Sequence, residues 1–281
     1  MERITFKVRD FIIGNGDKLT IIAGPCVIDT EKNLFETASK LKKITEELGI
    51  NFIFKTSFDK ANRMSIKSYR GPGIKEGLEL LSELKKELNI PIVIDVHSVD
   101  QINRVAQIAD VIQIPAFLCR QTDLIVSSAK TGLPLHIKKG QFMSPDDMGY
   151  IANKAVESGN NKVILCERGT FFGYHDLVVD FRSLLRMKDL GFPISFDFTH
   201  SLQSPGGSKG SSGGYGQYAS YFASAGIMFD VDILFFETHP DPANSPSDSA
   251  VMVPLDNVKN LLSKISELYS LKKRRRKNES L

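Results

Sequence analysis

Eight short apolar runs, each followed by a stretch of helical periodicity, constrain this chain more than any other feature of its sequence. The runs are "LTIIAGPC" from Leu19, "NFIFKTS" from Asn51, "PIVIDVH" from Pro91, "VIQIPAF" from Val111, "PLHIKKG" from Pro134, "KVILCERG" from Lys162, "FPISFDFTH" from Phe192 and "VDILFFETH" from Val231. Strands that are nearly all apolar are buried on both faces, as in a parallel sheet covered by helices. Between them lie segments such as "EKNLFETASKLKKITEELG" and "GIKEGLELLSELKKELN", whose apolar residues recur at spacings of three and four. The first of these ends at Gly49, a suitable C-cap. Alternation of strand and helix predicts βαβ units, and eight such units close as an α/β fold of the (β/α)8 TIM barrel type. A doubly wound open sheet is the competing architecture. It normally carries GxGxxG after its first strand, and "AGPCVID" is not that pattern.

Residues 1–15, with "ITFKVRDFIIGN" at their centre, predict a short N-terminal β-hairpin placed to plug the bottom of the barrel. No linker divides the rest, so residues 1–281 read as a single barrel domain. A length of 281 residues suits this fold, which typically needs about 250. Two loops are longer than simple connections, "FDKANRMSIKSYRGPG" after the second strand and "SLQSPGGSKGSSGGYG" after the seventh. Such loops are usually functional lids or disordered. Neither contains the GxxxxGK[ST] of a phosphate-cradling P-loop.

The formal net charge of +3 conceals an uneven distribution, because the tail at 272–281 holds six of the 36 basic residues and only one of the 33 acidic ones. That run reads as a solvated, disordered terminus rather than as a nucleic-acid or membrane patch. No apolar stretch approaches the roughly 20 residues of a membrane helix, and the amino terminus lacks a signal peptide's apolar core. The expected compartment is the cytoplasm. Cys26, Cys119 and Cys166 are odd in number and widely spaced, which fits reduced thiols better than a disulfide framework.

In a barrel of this type the active site lies where the strands end. Reading the end of each run gives Cys26, Lys55, Asp95, Gln113, Lys138, Arg168, His200 and Glu237, one from each strand. A single polar group there can be a satisfied core residue. Eight at one rim imply convergence on a ligand, since buried polar groups cost free energy unless paired. Lys55, Lys60, Arg63, Lys138 and Arg168 bring five cations to the mouth, so phosphates and carboxylates are the natural guests.

Barrel closure sets the first strand beside the last, which brings Cys26 near His200 and Glu237. Asp248, in the loop after the eighth strand, could swing in as a fourth ligand, and His239 ranks second as a substitute. Taken singly, Cys26 is more often a small buried hydrophobe and His200 a bonded core histidine. Together, a thiolate, an imidazole and carboxylates suit a divalent transition metal, with zinc, iron(II) and manganese all open.

The blocks "IIAGPCVI", "FKTSFDKANR", "SYRGPG", "DVIQIPAFLCRQTDL", "KKGQF", "CERGTFFGY", "DFTHSLQSPGG" and "ETHPDPANSPSDSAVMVPL" run in order from about residue 19 to residue 255. They closely resemble the 3-deoxy-D-manno-octulosonate 8-phosphate synthase family. The resemblance implies a (β/α)8 barrel, a homotetramer, and condensation of phosphoenolpyruvate with D-arabinose 5-phosphate and water. The product is a precursor of the eight-carbon sugar acid of Gram-negative lipopolysaccharide. Members are metal-dependent where the residue after "AGP" is cysteine and metal-independent where it is asparagine, so Cys26 implies the former.

By the same resemblance the metal ligands are Cys26, His200, Glu237 and Asp248. Lys60, Lys138 and Arg168, with Gln113 nearby, match positions that hold phosphoenolpyruvate. Asn62, Arg63 and Ser65 match those that touch the sugar, and Arg120 matches one that reaches the sugar phosphate from a neighbouring subunit. Lys55, Ser57 and Asp95 complete the mouth. The family's loop commonly reads "SSIHS" where this chain has "MSIKS", so Met64 and Lys67 depart from it.

The implied chemistry is attack by C3 of an enol phosphate on an aldehyde while water adds at C2. Its candidate catalytic groups are Lys60, Asp95, Lys138 and His200. Lys60 and Asp95 are the candidates for proton transfer, which would require environments that move each pKa towards neutrality. Two rivals remain. The related synthase of the shikimate pathway uses erythrose 4-phosphate and tends to carry "KPRTS" where this chain has "KANR". A catalytically silent barrel that only binds sugar phosphates is the rival of another class.

Overall fold

The computed structural model describes residues 3–279 apart from 64, 173–174 and 209–210. Eight parallel strands form one closed sheet: β1 (Thr20–Gly24), β2 (Asn51–Thr56), β3 (Ile92–Asp95), β4 (Val111–Ile114), β5 (Leu135–Lys138), β6 (Val163–Glu167), β7 (Ile194–Asp197) and β8 (Ile233–His239). Each pairs with the next, and β8 returns to β1 in a register that runs from Ile233 opposite Thr20 to Glu237 opposite Gly24. Eight helices alternate with them: α1 (Glu31–Leu48), α2 (Ile74–Leu88), α3 (Val99–Val105), α4 (Thr122–Ala129), α5 (Met148–Glu157), α6 (Arg182–Lys188), α7 (Ala219–Met228) and α8 (Val258–Glu279). The fold is the expected TIM barrel.

Local chemistry sets the helix ends. Thr30 caps α1 by accepting a hydrogen bond from the Asn33 amide, and Gly49 ends it in the left-handed conformation at φ 65°, which glycine adopts without a Cβ penalty. Leu34, Leu41, Leu81 and Leu84 face inward from α1 and α2 and pack on outward strand residues such as Ile21 and Phe54. This annular layer is the main core.

A second, smaller core lies inside the barrel. The N-terminal strands Phe6–Val8 and Phe11–Ile13 pair as an antiparallel hairpin, and Phe6, Val8 and Ile13 pack against Ile22, Ile53, Val93 and Val111 near the strands' beginnings. The hairpin therefore closes the bottom as expected, leaving the top open for polar groups.

Among the described residues, the stretch from Lys272 lies in α8, which runs to Glu279. Lys272 donates to the Ile227 carbonyl and pairs with Asp230, and Lys273 Nζ donates to the Asp17 carbonyl at 2.5 Å. Lysine and arginine are good helix formers, so a run of them extends a helix already docked on the barrel. The glycine-rich loop after β7 is also ordered in part, forming an antiparallel pair from Gln203–Ser208 and Ser211–Gly214.

Candidate active site

The polar rim is built at the upper ends of the strands. Lys55, Asp95, Gln113, Lys138 and Glu237 lie on strands themselves, while Cys26 sits two residues beyond β1, Arg168 one beyond β6, and His200 in a 3-10 turn after β7. Lys55, Lys60, Asn62, Asp95, Gln113, Lys138, Arg168 and His200 line one cavity of about 280 Å³. A second lobe of about 360 Å³ shares Lys60, Asn62, Arg168 and His200 with it and extends to Arg63, Ser247 and Asp248. The two cavities share walls, so the cations adjoin Asp248 of the acidic cluster.

The cations are anchored from behind. Lys55 Nζ lies 3.1 Å from Glu237 Oε1 and donates to the Cys26 carbonyl at 3.2 Å, and Lys60 Nζ lies 3.8 Å from the same carboxylate oxygen. Lys138 pairs with the fully buried Asp197 and stands 3.7 Å above the Phe235 ring. Arg168 donates one end of its fork to Gln203 Oε1 at 3.0 Å, while Nη1 is buried with no partner among the described residues. A guanidinium in a cavity wall suits bidentate contact with an oxyanion.

Cys26, Glu237 and Asp248 place one ligand atom each within 4.8 Å of one another. Cys26 Sγ lies 3.0 Å from Asp248 Oδ2 and 3.1 Å from Ser247 Oγ, and Glu237 Oε2 is buried without a partner among the described residues. Burial, then the Asp248 and Glu237 carboxylates, push the Cys26 thiol well above its ordinary pKa. A thiolate there therefore calls for a cation as its neighbour. His200 joins from one side, its Nε2 3.6 Å from Glu237 Oε1 and 3.8 Å from Asp248 Oδ2. Its Nδ1 lies 2.6 Å from Asp197 Oδ2; with Nδ1–H donating to that carboxylate, the Nε2 lone pair is left facing the cluster, the usual support for a metal-bound histidine. The donors fit a divalent metal, with His200 less tightly drawn in than the other three.

Asp248 is held in place by the segment that follows it. Val253–Pro254 pairs in parallel with the end of β8, and Thr238 Oγ1 donates to the Val253 carbonyl at 2.6 Å. Gln203 Nε2 donates to Asp248 Oδ1 at 2.8 Å. Arg63 reaches Ser247 Oγ at 2.9 Å and the Pro246 carbonyl at 2.7 Å, tying the loop after β2 to the loop after β8.

Comparison with known proteins converges on this arrangement. Residues 3–274 match the DAHP synthetase I family. A 2-dehydro-3-deoxyphosphooctonate aldolase of Francisella tularensis subsp. holarctica is 47% identical over 273 residues, covering 97% of this chain and 99% of that protein. One of the same name from Xanthomonas campestris pv. campestris is 48% identical over 268 residues, covering 95% and 97%. The chain belongs to the DAHP synthetase I family. Within it, the match is to the 3-deoxy-D-manno-octulosonate 8-phosphate synthases expected from the sequence.

Not every residue expected of such a family member comes to the cavity. Ser57 is fully buried behind it, its carbonyl accepting from the Ile28 amide. Ser65 is exposed and its Oγ accepts from the Lys67 amide; Met64 lies outside the described residues. Arg120 is on the surface, with its carbonyl bonded to Lys154 Nζ. His239 is bound elsewhere, Nε2 3.0 Å from Asp29 Oδ2 and Nδ1 accepting from the Asp241 amide at 3.0 Å, so it takes no part in the cluster.

Environments also differ from the sequence expectation for Lys60 and Asp95. Burial alone would lower the Lys60 pKa, but Cys26, Glu237, Asp95 and Asp248 outweigh it and hold the ammonium well above its usual range. Burial alone would raise Asp95, but its hydrogen bond to His97, 3.3 Å away, and the charges of His97, Lys55 and Lys60 hold it far below the usual carboxylate range. Neither is tuned towards neutrality. Asp197, His97, Gln141 and Gln203 were not singled out from the sequence. Only Asp197 carried a signal, as the last inward position of β7.

Proposed function

We propose that this chain condenses phosphoenolpyruvate with D-arabinose 5-phosphate and water, giving 3-deoxy-D-manno-octulosonate 8-phosphate and inorganic phosphate. The observation that carries the reading is a pair of cavities with shared walls, one lined by Lys55, Lys60, Lys138 and Arg168 and the other reaching Asp248 of the Cys26–Glu237–Asp248 cluster. The names of the relatives support it.

In this reading Lys60, Gln113, Lys138 and Arg168 hold the phosphate and carboxylate of phosphoenolpyruvate, and their fixed charges stabilise the anion that develops. Arg168 Nη1 supplies the second arm of a bidentate contact. Asn62 and Arg63 hold the sugar, with Lys55, Ser57 and Asp95 behind them. As C3 attacks the aldehyde carbon, its oxygen becomes a hydroxyl, and Lys60 Nζ, kept protonated by its acidic neighbours, is the donor in reach. The ionised Asp95 carboxylate accepts a hydrogen bond from the incoming water and orients it. The proton that water loses on adding at C2 returns to Lys60, and collapse of the resulting hemiketal to the ketone breaks the C2–O bond, its hydroxyl proton leaving with inorganic phosphate. Cys26, His200, Glu237 and Asp248 would hold one zinc, iron(II) or manganese ion. Such an ion would supply Lewis acidity to a substrate or water oxygen.

Phosphate release measured with phosphoenolpyruvate and either aldose phosphate, with and without chelator, tests this. Release with arabinose 5-phosphate alone, abolished by chelation, is the expected result. Release with erythrose 4-phosphate would move the chain to the shikimate-type activity, and no release with either would make it a binding barrel. The same reading makes the protein a cytoplasmic homotetramer in which Arg120 serves a neighbour's site; a monomer in light scattering after size exclusion would overturn that assembly.

A further inference from the structure

Inside the barrel, one layer below the cations, His136 spans the interior from β4 to β7. It is fully buried, its Nδ1 lies 2.9 Å from Gln113 Oε1, and its Nε2 lies 2.7 Å from Ser195 Oγ. Its backbone is the register partner of Gln113, and its ring stacks on Phe235 at 5.7 Å. We infer that His136 is a positioning residue that fixes the Gln113 amide so that its NH2 faces phosphoenolpyruvate as an uncharged donor. The inference rests on the proposed binding of that substrate in the cavity Gln113 lines.

The argument is one of proton inventory. A carboxamide oxygen only accepts, so the bond at 2.9 Å requires the proton on His136 Nδ1. Nε2 then accepts from the Ser195 hydroxyl, which fixes the ring from its far side. Both ring nitrogens are committed, so the imidazole has no capacity left for substrate and acts only through Gln113. With Oε1 taken from below, the planar amide turns its nitrogen the other way, towards the cavity.

The groups facing the ring keep it neutral. Burial comes first, then Lys138 two residues along the same strand; Asp197 opposes them, and Lys55 adds to them. Together they lower His136 to about 3. A neutral imidazole can hold an amide in one orientation without adding a charge beside Lys138. An apolar residue would leave Gln113 free to present its carbonyl oxygen, which repels an anion.

Calorimetric titration with phosphoenolpyruvate and steady-state phosphate release, on the wild type, His136→Asn, His136→Leu, Gln113→Leu and the His136→Leu/Gln113→Leu pair, test the inference. Asn places an amide nitrogen near the Nδ1 position and is expected to keep the wild-type affinity. His136→Leu is expected to weaken phosphoenolpyruvate binding about 10- to 100-fold, as loss of an outer support does, with a smaller change in kcat. Gln113→Leu should match it, and the pair should be no worse than Gln113→Leu alone. Additive losses in the pair, or equal losses in His136→Asn and His136→Leu, would overturn it. If His136→Leu does not fold, His136→Gln replaces it, since its longer amide leaves the Nδ1 position empty; affinity equal to that of His136→Asn would then refute the role. Wild type that binds phosphoenolpyruvate but releases no phosphate would sink the proposed activity and leave this inference standing.

Discussion

Cys26 Sγ and Asp248 Oδ2 lie 3.0 Å apart although 222 residues separate them. The contact exists because β8 pairs with β1, Glu237 opposite Gly24, and because Val253–Pro254 turns the Asp248 loop back over the same edge. Replacing the thiol removes the softest donor of the cluster. Cys26→Ala is expected to lower phosphate release by well over about 100-fold, beyond what loss of an outer support costs, and to lower bound metal measured by elemental analysis. Full turnover by this variant in a metal-free preparation would remove the case for a metal.

Asp197 pairs with both Lys138 and His200 Nδ1 and accepts from the Thr199 hydroxyl. Burial alone would raise its pKa, but the charges and hydrogen bonds of His200 and Lys138 hold it well below the usual range. A depressed folded-state pKa stabilises fully above the ordinary carboxylate range, and this contribution is lost as pH falls towards the folded value. Asp197→Asn should therefore destabilise by about 3–5 kcal/mol at pH 7, since it leaves Lys138 buried without its counter-charge. It should also flatten the loss of stability below about pH 4. Chemical denaturation at several pH values reads both, and an unchanged acid limb would show that the pair carries no linkage.

The fold was legible because eight apolar runs and their intervening helices report burial directly, and alternation leaves few topologies. The site was legible where a polar residue ends an apolar run, as with Lys55, Asp95, Gln113 and Lys138. It was less legible where a turn intervenes. The run "FPISFDFTH" suggested His200 as the end of β7, but the strand stops at Asp197 and His200 lies in the turn beyond. Gln141 reaches the cavity from a turn and Gln203 from the start of the short strand in the glycine-rich loop, where no periodicity in the sequence marks a side chain's direction. His136 sits mid-strand in "PLHIKKG" and is identified only by its partners across the barrel. Charge density at the tail does not show the partners of Lys272, which reaches Asp230 and the Ile227 carbonyl from α8.

The hairpin plug carries part of the barrel's interior packing. Phe6 is buried against the lower barrel layer, and truncating a buried phenylalanine leaves a cavity that the closed sheet cannot collapse around. Phe6→Ala is expected to cost about 3–5 kcal/mol without changing the KM for either substrate, because the plug lies at the far end from Lys138 and Arg168. Thermal melts together with steady-state kinetics separate the two effects. A raised KM at unchanged stability would show that the plug communicates with the mouth.

Two glycines separate backbone conformation from close approach. A Cβ on Gly24 would stand 2.0 Å from the Lys55 carbonyl oxygen, so Gly24→Ala must force β1 and β2 apart at the level of Cys26 and Lys55. Gly49, at φ 65°, has open space where its Cβ would go, so Gly49→Ala meets only the left-handed backbone penalty. The expected losses are about 1–3 kcal/mol or more for Gly24→Ala and about 1 kcal/mol for Gly49→Ala. Activity should distinguish them more sharply than stability. Moving β2 displaces Lys55 from Glu237, now 3.1 Å away, and with it the wall shared by the cations and the thiol–carboxylate cluster. Gly24→Ala should therefore be nearly inactive even where it remains folded, whereas Gly49→Ala should turn over like the wild type. Equal activity in the two variants would mean that the β1–β2 contact does not set the geometry of the site.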